Sequence, residues 1–152
     1  MKTTIIKYGL FALVTSAIIF LAALVLGKDL SMNAQMVLGY ASIVVSLLFV
    51  FFGIKHYRDH ENEGLISFRK AFIIGIFISI FAAMGFAMID YIYTAVINPN
   101  FISEFIQAEK DSGMTGEIPS YTSASLAIFM FLIVLVIGII ISILSGLILQ
   151  RK

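Results

Sequence analysis

The chain has 152 residues, 61% hydrophobic and 12% charged, with a formal net charge of +1 and a mean hydropathy of +1.05. A soluble domain of this length needs roughly 25% charged residues to cover its core, so the solvent facing this chain is lipid. The absence of cysteine excludes disulfides, thiolate metal sites and cysteine nucleophiles, and no basic patch with interleaved aromatics points to nucleic acid.

Length allows one domain, residues 1–152. Met1 to Lys7 is a short basic start carrying Lys2 and Lys7, and Tyr8 to Leu26 holds no charge. At ~1.5 Å per residue that run crosses a ~30 Å hydrocarbon core, giving a first span over about 6–27. The rival reading is a secretory signal peptide with Val25 and Gly27 before a cut, but signal h-regions are only ~7–15 residues long. Lys28 to Asn33 is a polar turn after Gly27, a plausible residue just past the helix end. A second span follows over about 35–55, with Gly39, Ser42 and Ser46 inside it.

Gly53 to Phe72 is a polar island holding four of the ten Lys and Arg residues, both histidines and three of the nine acidic groups. The third span runs over about 70–97, and Asn98-Pro99 has the form of an N-cap with proline at the first helical position. Phe101, Ile102, Phe105, Ile106 and Glu109 then follow helical spacing up to Gly113. That pattern predicts a short amphipathic helix lying on the membrane surface; a partly ordered loop is the alternative. Thr115 to Ser123 shows no clear period, and the fourth span covers about 124–149. The fold class is therefore all-α, an integral membrane bundle of four transmembrane helices with a short helix between the third and fourth.

Four spans put Lys2, Lys7, Lys55, Arg58, Arg69, Lys70, Arg151 and Lys152 on one side and only Lys28 and Lys110 on the other. By the positive-inside pattern both termini are cytoplasmic. Acidic groups lean outward: Asp29, Glu104, Glu109, Asp111 and Glu117.

Asp90 is the one ionisable residue between span boundaries. A carboxylate at mid-bilayer costs ~2.5–3.5 kcal/mol and marks a functional candidate. Counted from Ala71 it lies ~28 Å along the helix, beside Tyr91 and Tyr93. Three readings stay open: a carboxylate at the outer headgroup boundary, a buried proton or cation site, and a hydrogen bond at a helix contact. His56 and His60 share a helical face, but HYRDH lacks the glutamate of a zincin motif, so no metal is expected. Lys55, Arg58, Arg69 and Lys70 can hold anionic headgroups at ~1 kcal/mol each. Small residues recur every four positions, as Gly75, Ser79 and Ala83 in the third span and Gly138, Ser142 and Gly146 in the fourth. Such rows let helices approach closely in lipid, either between these two spans or across a dimer. No nucleophile–base pair, phosphate loop or cofactor motif is present, so neither catalysis nor a cofactor is expected.

The core segment LGYASIVVSLLFVFFGIKHYRDHENEGLISFRKAFIIG, with NPNF after the third span, resembles the domain-of-unknown-function family 4199, four-span proteins found mostly in Bacteroidetes. The match rests on Gly53, Ile54, Lys55, Tyr57, Arg58, Asp59, Gly64, Ile66, Ser67, Phe68, Lys70, Ala71 and Phe72. The resemblance implies a membrane location and four spans and carries no activity, substrate or catalytic residue. Physically the segment reads as a tight hairpin. Lys55 and Arg58 meet the negative end of the second helix, Gly64 supplies a turn, and Ser67 caps the third. The function expected is a non-enzymatic membrane component that packs against lipids, a second copy of the chain or another membrane protein. The alternative is a small transporter or channel, as a dimer, using Asp90.

Overall fold

A computed structural model of the chain describes residues 1–113, 116 and 119–151, with the side chain of residue 32 left aside. Expectations placed on Thr115, Glu117 and Lys152 lie outside the described residues.

Among the described residues, five α-helices form in chain order: α1 Lys2–Gly27, α2 Met32–His56, α3 Phe68–Ile92, α4 Phe101–Asp111 and α5 Ser123–Leu149. Four of them are long and apolar enough to cross a membrane, which makes this a multi-pass membrane protein. Their outward faces carry large hydrophobics in the open, among them Leu26, Val37, Phe129 and Ile148. In water such a continuous apolar surface would associate or aggregate; in lipid it is the solvated face.

The helix ends follow local chemistry. Ser31 caps α2 by accepting from the Ala34 amide at 3.4 Å, and Ser67 caps α3 by accepting from Lys70 at 3.5 Å. Thr122 and Ser125 cap α5 reciprocally, at 3.1 and 2.8 Å, satisfying amides that the first turn leaves without partners. Both α2 and α3 run on for one wider turn, Tyr57–Glu61 and Tyr93–Ile97. The second of these corrects the start expected for α4. The Asn98 amide donates to the Tyr93 carbonyl at 2.7 Å, so Asn98 closes the third span instead of opening the next helix. Asn100 takes the cap position of α4, with no side-chain hydrogen bond.

Helix α3 is the hub, packed on α5, α1 and α2, while α2 also touches α1 and α5. The α3–α5 seam is built from the two small-residue rows. A Cβ on Gly75 would lie 2.5 Å from Ser142 Oγ, and one on Gly138 would lie 2.5 Å from both Cβ and Oγ of Ser79. Further along, Gly146 faces Phe68 and Ala71. Each step of four residues along α3 matches a step of four back along α5, the register of antiparallel helices with aligned ridges and grooves. The seam serines look inward for their bonds: Ser79 Oγ donates to the Gly75 carbonyl at 2.8 Å and Ser142 Oγ to Gly138 at 2.7 Å. They act as small, satisfied spacers. In lipid, where apolar burial alone does not drive association, this close approach and its dispersion contacts hold the helices together.

Candidate functional site

Two places gather the chemistry, one at each end of the bundle. The end that carries both termini is closed by the family segment. The Arg58 guanidinium is buried; its Nε donates to Asp59 at 2.6 Å and its Nη1 to the Leu149 carbonyl at 3.4 Å, where α5 ends. That carbonyl belongs to the negative end of a helix dipole, a favourable place for a cation. Next to it, Ile66 and Arg151 exchange two backbone hydrogen bonds, 3.0 and 2.9 Å, in a single antiparallel bridge. Ile66 is fully buried, while Leu65 stays half exposed. The turn between α2 and α3 needs backbone in the left-handed region, at Glu63 (φ 53°) and Gly64 (φ 79°); glycine adopts it freely, whereas Glu63 is held there by its neighbours. Thr4 Oγ1 donates to Glu61, tying α1 to the same turn.

Lys55, Tyr57, Arg58, Asp59, Gly64, Ser67, Phe68 and Lys70 thus form a structural clamp. Tyr57 is buried, Lys55, Asp59 and Lys70 face outward, and Phe68 packs by Gly146. The rings of His56 and His60 stack 4.6 Å apart, with Tyr8 5.4 Å from His56. Among the described residues, no three His, Cys, Asp or Glu side chains come together as metal ligands.

The opposite end holds a cavity of about 470 Å³, inside the ~300–1,000 Å³ range of small-molecule sites. Its walls come from the last turns of α1 (Phe20, Gly27), the first half of α2 (Gly39, Tyr40), α3 and its wide turn (Asp90, Tyr93) and the start of α5 (Phe129, Ile133). Helix α4 supplies the remaining wall through Phe101, Phe105 and Ala108. This is where its greasy face turns. Aromatic edges hold α4 in place, with Phe101 on Tyr93 at 5.7 Å and Phe105 on Tyr121 at 5.7 Å. Among the apolar lining residues, Met36 and Tyr40 on α2 and Phe129 on α5 are the most open to the outside, so the apolar part of the rim lies on those helices, while the exposed Lys28, Gln35 and Glu104 form its polar part.

Asp90 sits in this wall, 7% exposed. It is ~33 Å along α3 from Phe68, one turn beyond Phe86, whose ring packs on Phe20 at 4.9 Å. Thr94 Oγ1 donates to the Asp90 backbone carbonyl at 2.8 Å, not to the carboxylate. No described residue donates a hydrogen bond to that carboxylate. Other buried polar side chains, such as Ser16, Ser42 and Ser46, are satisfied on carbonyls of their own helix. Asp90 is the exception.

Sequence reasoning singled out Asp90 but missed its companions. Gly39 carried a signal of a kind, as a glycine in a span that belongs to neither packing row. A Cβ there would meet nothing within 4 Å, because it points into the cavity. The contact of α1 with α3 was missed as well; it runs through Gly9 against Phe81 and Gly85 against Ser16 and Leu13.

The family model described as "Protein of unknown function (DUF4199)" matches residues 7–151, and the chain belongs to that family. No curated protein and no solved structure matches it.

Proposed function

We propose that this member of the DUF4199 family is a non-enzymatic component of the bacterial cytoplasmic membrane that works by holding a membrane amphiphile. The basic end faces the cytoplasm and the cavity lies toward the other face. One observation carries the reading: a largely apolar, aromatic-lined cavity of lipid-fragment size has its exposed apolar rim, Met36, Tyr40 and Phe129, on α2 and α5, faces that a bilayer would cover. The orientation is supported by charge. Lys2, Lys7, Lys55, Arg58, Arg69, Lys70 and Arg151 belong to the end with the termini, whereas Lys28 and Lys110 belong to the other, the positive-inside asymmetry. The exposed cations at the basic end suit anionic headgroups. A non-enzymatic role fits a lining in which, among the described residues, Asp90 is the one buried carboxylate and no hydrogen bond joins a nucleophile to a base.

The transporter reading has the burial of Asp90 in its favour. Against it, Leu47, Val50, Ile54, Ile74 and Ile78 fill the core between Asp90 and the basic end without exposed surface, so a path would require the helices to part. Proton flux into proteoliposomes that disappears in Asp90→Asn would revive that reading.

Gly39→Leu tests the cavity reading, because position 39 lines the cavity and a Cβ there meets nothing within 4 Å, which leaves the larger side chain open volume to occupy. Native mass spectrometry of the wild-type protein in neutral maltoside detergent is expected to show retained amphiphile that Gly39→Leu loses. Equal retention in both proteins would defeat the proposal.

A further inference from the structure

The unpartnered carboxylate specifies more than an apolar slot. A carboxylate withdrawn from water is costly unless it is paired and hydrogen-bonded; Asp90 is 7% exposed and has neither partner within the described residues, and since none of their fully buried side-chain oxygens lacks a partner, its carboxylate keeps open surface in the cavity wall. Their ion pairs, Arg58 with Asp59 and the Met1 ammonium with Glu61, lie at the other end. Lys28 reaches the cavity wall but stays exposed and unpaired. An inorganic cation is a poor fit. Calcium takes about 6–8 oxygen ligands and magnesium a near-ideal octahedron; the lining offers one further carboxylate, the exposed Glu104, and among the described residues no three acidic or imidazole side chains come together. An organic cation fits on three counts. An ammonium brings up to three donors to a carboxylate that receives none. The rings of Phe20, Tyr93, Phe101 and Phe105 line the cavity and suit a desolvated cation. The apolar rim on α2 and α5 leaves a route for a hydrocarbon tail into the bilayer.

We propose that the cavity binds an amphiphile with an ammonium head, which pairs with Asp90 while its tail leaves over the apolar rim on α2 and α5. This rests on the cavity reading above and adds the chemistry of the head. The probe is dodecylammonium, with dodecanol as the uncharged control of equal chain length, titrated against the full chain in neutral detergent and read by native mass spectrometry. Wild type is expected to bind dodecylammonium at least tenfold more tightly than Asp90→Asn, with dodecanol binding unchanged, which also shows that the nearly isosteric variant is folded. Equal dodecylammonium binding in Asp90→Asn, with Gly39→Leu still blocking both probes, overturns the ammonium proposal and leaves the cavity reading standing. Undiminished binding of both probes in Gly39→Leu overturns both. Competition separates the sources of the head. Phosphatidylethanolamine displacing the probe places the ammonium on a membrane lipid, and displacement by alkylamines alone places it on a free amine. Equal displacement by phosphatidylglycerol, which has no ammonium, refutes the pairing.

Discussion

Adding one methyl group to the α3–α5 seam separates packing from composition. In Gly138→Ala the new Cβ falls 2.5 Å from Ser79 Cβ as well as 2.5 Å from its Oγ. Carbon atoms prefer ~3.5–4.0 Å, so something must yield by about 1 Å. The hydroxyl can rotate, but Ser79 Cβ is fixed to its backbone, and the helices themselves must part. Overpacking of this kind costs about 1–3 kcal/mol, set against the ~1 kcal/mol that alanine gains over glycine in a helix. The net expectation is a loss of up to about 2 kcal/mol. Gly39→Ala is the internal control. It makes the same chemical change in a span with nothing within 4 Å, so only the helix gain remains and the protein is stabilised by up to ~1 kcal/mol. Ser79→Gly should restore Gly138→Ala, because it removes both offending atoms, whereas Ser79→Ala removes only one and should not. Reversible unfolding in mixed micelles, analysed as a double-mutant cycle, reads all of these. Equal stability of Gly138→Ala and Gly39→Ala, or rescue by Ser79→Ala, would refute the close-approach argument.

Two further expectations follow from the basic end. Arg58→Ala removes a charged hydrogen bond to the end of α5 and leaves Asp59 without its partner. The bond is long and Asp59 is about one-third exposed, so a cost of about 1–2 kcal/mol is expected, against no more than ~0.5 kcal/mol for the exposed Arg69→Ala; thermal unfolding of the pair compares them. In a chain without cysteine, Glu63→Cys and Lys110→Cys report orientation directly. An impermeant thiol reagent applied to intact cells should label position 110 and spare position 63, and the reverse pattern would invert the proposed topology.

The sequence is most informative where lipid imposes a uniform rule. Uncharged runs such as Tyr8–Leu26 mark the spans because the bilayer tolerates little else. Ser67 and Gly64 mark the hairpin because caps and left-handed turns have short, local chemistry. The rows at Gly75 and Gly138 are visible for the same reason, though which helix each row faces depends on a register between distant segments. Asp90 shows where legibility stops. Its distance along α3 can be counted from the chain, but its place in a cavity wall depends on how α1, α2, α4 and α5 close round that end, an arrangement between distant segments in which ring contacts such as Phe101 on Tyr93 take part. The Ile66–Arg151 bridge uses backbone groups alone, so no side-chain pattern announces it. Asn98 looked like a cap because its dipeptide with Pro99 is local information, while the carbonyl it serves lies a full wide turn earlier.

The Arg58 contact also has a dimension in time. Arg58 leaves the ribosome 91 residues before Leu149, the carbonyl it bonds. At ~5–20 residues per second, the guanidinium waits on the order of 5–20 s for its acceptor. During that interval the first three helices can already be inserted while Ile66 still lacks its bridge partner and the small-residue face of α3 is uncovered. The nascent chain is then a three-helix intermediate with an open seam, and it completes its basic end only when the final helix arrives.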